Sequence, residues 1–149
     1  MGLDGYGGKL KHKYTYEFEN SEGKTITHKY VGVGHFHWRK HARLQEFMTR
    51  LYMKRHNLKH KWIQRDDDDW YPIEFGKYNR IRLKPSDIDE LEKAINTDYH
   101  EYFCNGGFLW GHQTQEYSVN WYRKQDLEFV EYARDRFNKG KLVYYSCSW

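Results

Sequence analysis

Between residues 37 and 65 the chain sets nine basic side chains, Arg39, Lys40, Arg43, Arg50, Lys54, Arg55, Lys59, Lys61 and Arg65, against one acid, Glu46. Cations at this density neutralise phosphates or steer an acidic protein surface toward them. Trp38, Tyr52 and Trp62 lie among them, and rings beside cations suit stacking on bases or anchoring an interface. The candidate contact residues are therefore Trp38, Arg39, Lys40, Arg43, Arg50, Lys54 and Arg55. The plain alternative is a solvated helix face.

Histidines offer a second chemistry. His35 and His37 are alternate residues and project to one side if their segment is a strand. If a helix starts by His37, that residue and His41 share a face at i, i+4. Either pair supplies two of the four ligands that Zn²⁺ wants, which makes His35, His37 and His41 the weak metal candidates. With no Cys-x-x-Cys and no His-Glu-x-x-His in the chain, packing histidines are expected instead, with no metal or cofactor. His56 and His60 are another i, i+4 pair, but the positive charge around them disfavours a dication. Asp66–Asp69 lacks the spacing of a calcium loop. It reads as a solvated loop able to screen the basic segment beside it or to imitate DNA.

Catalytic signatures are missing: there is no Walker A loop, no Gly-x-Ser-x-Gly elbow and no zinc-deaminase pattern. Gly32-Val33-Gly34 lacks the third glycine of a dinucleotide fingerprint, and Cys104 with some histidine is a dyad only on paper. Two cysteines are too few for a disulfide framework, so a reduced protein is expected.

The elements that must carry these residues follow from periodicity. Residues 11–19 alternate polar groups with rings, Asn20-Ser21-Glu22-Gly23 is turn chemistry, and 24–33 is β-branched and aromatic, which predicts a hairpin ending near Gly32 and Gly34. From Trp38 to His56 the period changes: Leu44, Phe47, Met48, Leu51 and Tyr52 mark one face of a long, basic, amphipathic helix. Residues 57–72 read as irregular, and 78–84 as a strand with Ile81 and Leu83 on one side. Pro85-Ser86 opens a second helix that buries Ile88, Leu91 and Ile95, with Ser86 and Asp89 as its capping box. A ring-rich hairpin, Phe108–Gly111 with Tyr117–Trp121, precedes a third helix over 124–138, which stops at Gly140 before a strand at 142–149. Strands and helices without a βαβ rhythm predict an α+β fold with a mainly antiparallel sheet and about three helices.

Composition bounds the rest. The chain has 149 residues, one domain's worth, and is read as a single domain over 1–149. Its mean hydropathy of −1.09 would suit a disordered chain, but 14 Tyr, 8 Phe and 6 Trp indicate a folded, ring-rich core. No apolar run approaches the roughly 18 residues of a membrane span, and no leader-like segment opens the sequence. The net charge of +4 divides into +9 over residues 1–65 and −5 over 66–149. An acidic partner is the strongest hint that composition supplies.

Four segments in order, Met1-Gly2-Leu3-Asp4, Trp38-Arg39-Lys40, Gly107-Phe108-Leu109-Trp110-Gly111 and Tyr144-Tyr145-Ser146-Cys147-Ser148-Trp149, resemble a family of small tailed-bacteriophage proteins. Those proteins begin "MGLD" and end in a Tyr-rich strand closing on "SSW". Gly5 departs from the Met of many members, and Cys147 from their Ser. The resemblance implies a phage origin, residence in the host cytoplasm and no transferable catalytic residue. It points to an accessory protein that works by binding, as an inhibitor or modulator of a host or anti-phage defence protein. Two alternatives stand beside it: a nucleic-acid-binding protein using the basic segment 38–61, and a sponge for a nucleotide signal. The sponge would use the rings of 108–110, 121–122 and 144–145 as its pocket wall. An enzyme of unrecognised type ranks behind these.

Overall fold

The polar–aromatic alternation does make a hairpin, and a longer one than its periodicity suggests. The computed structural model describes residues 3–59, 62–64, 70–72, 80–103 and 115–148. Strand β1 (Asp4–Glu19) pairs antiparallel with β2 (Thr25–Arg39), from Asp4 opposite Arg39 to Glu19 opposite Thr25. Asn20 builds the turn: its side-chain oxygen accepts the N–H groups of Glu22 and Lys24 at 3.0 and 2.9 Å. Gly32 and Gly34 do not end the strand. One extra residue in β1 makes a bulge between Leu10 and Lys13, and Gly34, with no side chain of its own, leaves room for the Lys11 stem. The ladder therefore runs on to Arg39.

After β2 come α1 (Ala42–Arg55), a small pair β3 (Trp62–Gln64) and β4 (Trp70–Pro72), and then β5 (Arg80–Leu83). Helices α2 (Pro85–Asn96) and α3 (Gln115–Asn138) follow, and β6 (Val143–Ser148) is last. The main sheet has the order β2-β1-β6-β5, with every neighbouring pair antiparallel. The protein is α+β, with a mainly antiparallel sheet and three helices among the described residues. No described helix is long and apolar enough to cross a membrane.

Alternation decides which face of the sheet carries the core. Val143, Tyr145 and Cys147 of β6 and Ile81 and Leu83 of β5 are buried, while the residues between them are half-buried or exposed. They join Leu44, Phe47, Met48 and Leu51 of α1, Ile88, Leu91 and Ile95 of α2, and Phe129, Val130 and Ala133 of α3 in one cluster. Rings fill the space that a strand glycine leaves. A Cβ on Gly7 would lie 2.8 Å from Trp38 and 2.9 Å from Phe129, so the glycine is the space those rings occupy.

Four boundaries differ from expectation, each for a local reason. Helix α1 starts at Ala42 because Lys40 has a left-handed φ of 57°, which no helix interior accepts. Helix α3 starts at Gln115, so Tyr117–Trp121 is helix and not strand. Its buried positions 115, 118, 119, 126, 129, 130 and 133 keep helical spacing, and the two rings that imitate strand alternation stack outside at i, i+4, 5.7 Å apart. The α2 cap is two residues earlier than Ser86: the Asp87 carboxylate accepts the Lys84 N–H at 2.7 Å. The segment read as irregular holds the β3–β4 pair, and Asp66–Asp69 lies outside the described residues. The stop at Gly140 is as expected, with Lys141 N–H reaching Arg136 C=O at 2.8 Å and Gly140 N–H reaching Phe137 C=O at 3.0 Å.

Because Gly7 is a gap filled by its neighbours, Gly7→Val should destabilise the fold by roughly 1–3 kcal/mol. A urea midpoint equal to that of the wild type would show that the ring packing over β1 is looser than described.

Candidate anion-binding cleft

The geometry begins at a buried carboxylate. Asp126 of α3 is 1% exposed, and it accepts hydrogen bonds from Trp38 Nε1 at 2.7 Å, His41 Nε2 at 2.8 Å and Tyr99 Oη at 2.9 Å. Facing an acceptor-only carboxylate, the His41 proton sits on Nε2, and Nδ1 is buried with no hydrogen-bond partner. Burial first, then the Asp126 charge, pushes the Tyr99 hydroxyl well above its ordinary pKa. Helix α3 grips the β2–α1 junction at three further points. Ser118 Oγ donates to Lys40 C=O at 2.8 Å, Gln125 Nε2 to His37 C=O at 2.7 Å, and Tyr122 Oη accepts the Arg39 N–H at 2.9 Å. The left-handed turn at Lys40 brings Trp38 and His41 to one carboxylate, and α1 leaves in a fixed direction.

The last turn of α1 then meets the open edge of the sheet. Tyr52, Arg55 and His56 share one face at i, i+3, i+4, and with Arg80, Ile81, Arg82 and Lys84 they line a cavity of about 210 Å³. Arg55 is clamped: one guanidinium nitrogen donates to Arg82 C=O and another to the Asp87 carboxylate. The same carboxylate caps α2 through Lys84 N–H. Among the described residues, Arg80, Arg82 and Lys84 form no ion pair, and Arg80 lies 5.6 Å from the centre of the Tyr144 ring. One wall is aromatic, with the Tyr52 and His56 ring centres 4.2 Å apart.

The expected contact surface is only partly brought together. Trp38 is a core residue, 1% exposed, because β2 reaches Arg39 and turns the indole toward Asp126. Arg39 lies 3.7 Å from Asp4, and Lys40 forms the junction turn. Arg43 donates to Asp98 C=O at 2.8 Å, and Arg50 is held by Glu46 at 3.1 Å and stacks over Tyr102. Lys54 is exposed, and Arg55 alone of the seven lines the cavity.

The histidines are dispersed. His35 stacks on Tyr132, His37 bonds Asp4 at 2.8 Å, and His41 bonds Asp126. Among the described residues no three His, Cys, Asp or Glu side chains converge as metal ligands. The rings expected to wall a nucleotide sponge are not brought together among the described residues. Trp121 and Tyr122 are helical, Tyr145 is core, and Phe108–Trp110 lies outside the described residues, as do His60 and Cys104. Burial pushes the Cys147 thiol up to about 12.

Periodicity had already paired Ile81 with Leu83 on one side of β5. That Arg80, Arg82 and Lys84 must then share the other side is the signal that would have found the cleft. No known protein family, curated protein or solved structure matches the chain.

Asp126→Ala leaves three buried donors without their shared acceptor and should destabilise by 3 kcal/mol or more, since each such loss costs about 1–3 kcal/mol. Chemical denaturation checks this. A loss under about 1 kcal/mol would mean that the network is not what fixes the β2–α1 junction.

Proposed function

We propose that the protein acts by binding an acidic partner, and that the cleft between the last turn of α1 and β5 is the contact. The observation that carries this is that four basic residues, Arg55, Arg80, Arg82 and Lys84, line one cavity. Asp87, beside the cavity, is occupied by Arg55 and the α2 cap. Such a field raises the encounter rate with an anion and rejects cations. Joined to the phage resemblance, the reading is an accessory protein that inhibits or modulates a host or defence component by engaging its acidic groups. The positive patch thereby moves from the 38–55 helix face, where Arg43 and Arg50 have internal partners, to the sheet edge.

The test is retention on immobilised heparin, a generic polyanion. Arg80→Glu with Arg82→Glu should elute at markedly lower salt than the wild type, while Arg39→Glu with Arg50→Glu, carrying the same charge change, should shift less. A larger shift for the second pair would place the contact on the helix face and overturn the assignment.

A further inference from the structure

We propose that the cleft is a nucleoside-phosphate site: Arg80, Arg82 and Lys84 hold the phosphate, and the Tyr52–His56 wall receives the base. This rests on the reading of the cleft as the contact and names what it recognises. Three features separate a nucleotide from an acidic protein surface. A cavity of about 210 Å³ admits a phosphate and part of its nucleoside but not a folded surface. Guanidinium groups present planar forks of N–H donors that match phosphate oxygens, and Arg80 and Arg82 are free of carboxylates among the described residues. The exposed His56 ring, 4.2 Å from Tyr52, offers a π-face that a carboxylate ligand cannot use and a base can.

Asp87 sharpens the arrangement. Its carboxylate holds Arg55 against the β5 edge, so one guanidinium is placed before any ligand arrives. Among the described residues the cations at 80, 82 and 84 form no ion pair, and they recur at every second residue along β5 and its exit into α2, which sets several N–H donors along one phosphate-bearing ligand. A free nucleotide and a strand terminus therefore present the same chemistry, and the two sources are separated by experiment.

The full chain is titrated at constant ionic strength with inorganic phosphate, adenosine, AMP, ATP and a 5′-phosphorylated oligothymidylate, following both heat of binding and Tm. Nucleotides should bind at least tenfold tighter than phosphate or adenosine alone. Arg82→Ala with Lys84→Ala should weaken them at least tenfold without altering the far-ultraviolet circular dichroism. His56→Ala should weaken nucleotides and leave phosphate unchanged. Binding of the oligonucleotide but not of free nucleotides also supports the site and identifies the strand as its source. Phosphate binding as tightly as every nucleotide overturns the role of the rings and with it the proposal. Absence of binding by all phosphate-bearing probes, while heparin retention still depends on Arg80 and Arg82, overturns the nucleotide site and leaves the acidic-partner reading standing. If heparin retention is also independent of those residues, both fall.

Discussion

One buried carboxylate holds the architecture together. Asp126 receives an indole N–H from the end of β2, an imidazole N–H from the entry to α1 and a phenol from the exit of α2. An isolated carboxylate at this depth would be prohibitively costly, and three aligned donors make it tolerable. Once satisfied, it forces three segments that are distant in sequence, the β2–α1 junction, the exit of α2 and α3, to meet at a single point. The left-handed residues nearby fit that demand. Lys40 turns β2 into α1, while Asp98 and Tyr99, with φ of 54° and 52°, turn the chain after α2 so that the Tyr99 ring points inward. Arg43 and Arg123 secure the second turn from outside, on Asp98 C=O and on the Asp98 carboxylate.

The cleft is the far end of the same lever. Helix α1 is fixed at its start by this junction and along one face by the core, so its last turn has one place to go. That place is the outer side of β5, the edge strand of the main sheet among the described residues. An open strand edge invites pairing with other chains, and native folds cover or charge such edges. Here Arg55 covers Arg82 C=O, and Arg80, Arg82 and Lys84 charge it. Edge protection accounts for these cations by itself, and the proposed anion binding rests on the cavity that lies beside them.

What was legible in the sequence was whatever depends on neighbours in sequence. The Leu44–Leu51 stripe, the Ile88–Ile95 face, the Gly140 stop and the Asn20 turn all rest on spacing and local turn chemistry, and each is present. Tyr117 and Trp121 misled because aromatic residues favour strands, while the evidence for helix lay in the buried Ser118 and Val119 between them. Trp38 misled more deeply. A ring beside Arg and Lys looks like an interface anchor, and only the burial of Asp126, 88 residues away, shows that it is core. Long-range pairing of this kind leaves no periodic trace. The cations of β5 were hidden differently: they sit in a half of the chain whose net charge is −5, so averaging erased them.

The central claim is that a positively charged cavity at the β5 edge, set in place by a distant buried carboxylate, receives an anion. The most direct measurement is a backbone-amide NMR titration of the full chain with inorganic phosphate at constant ionic strength. Saturable shifts confined to residues 52–56 and 80–88 are predicted. Shifts scattered over the basic residues of the α1 face, or strictly proportional to phosphate without saturation, would contradict the account.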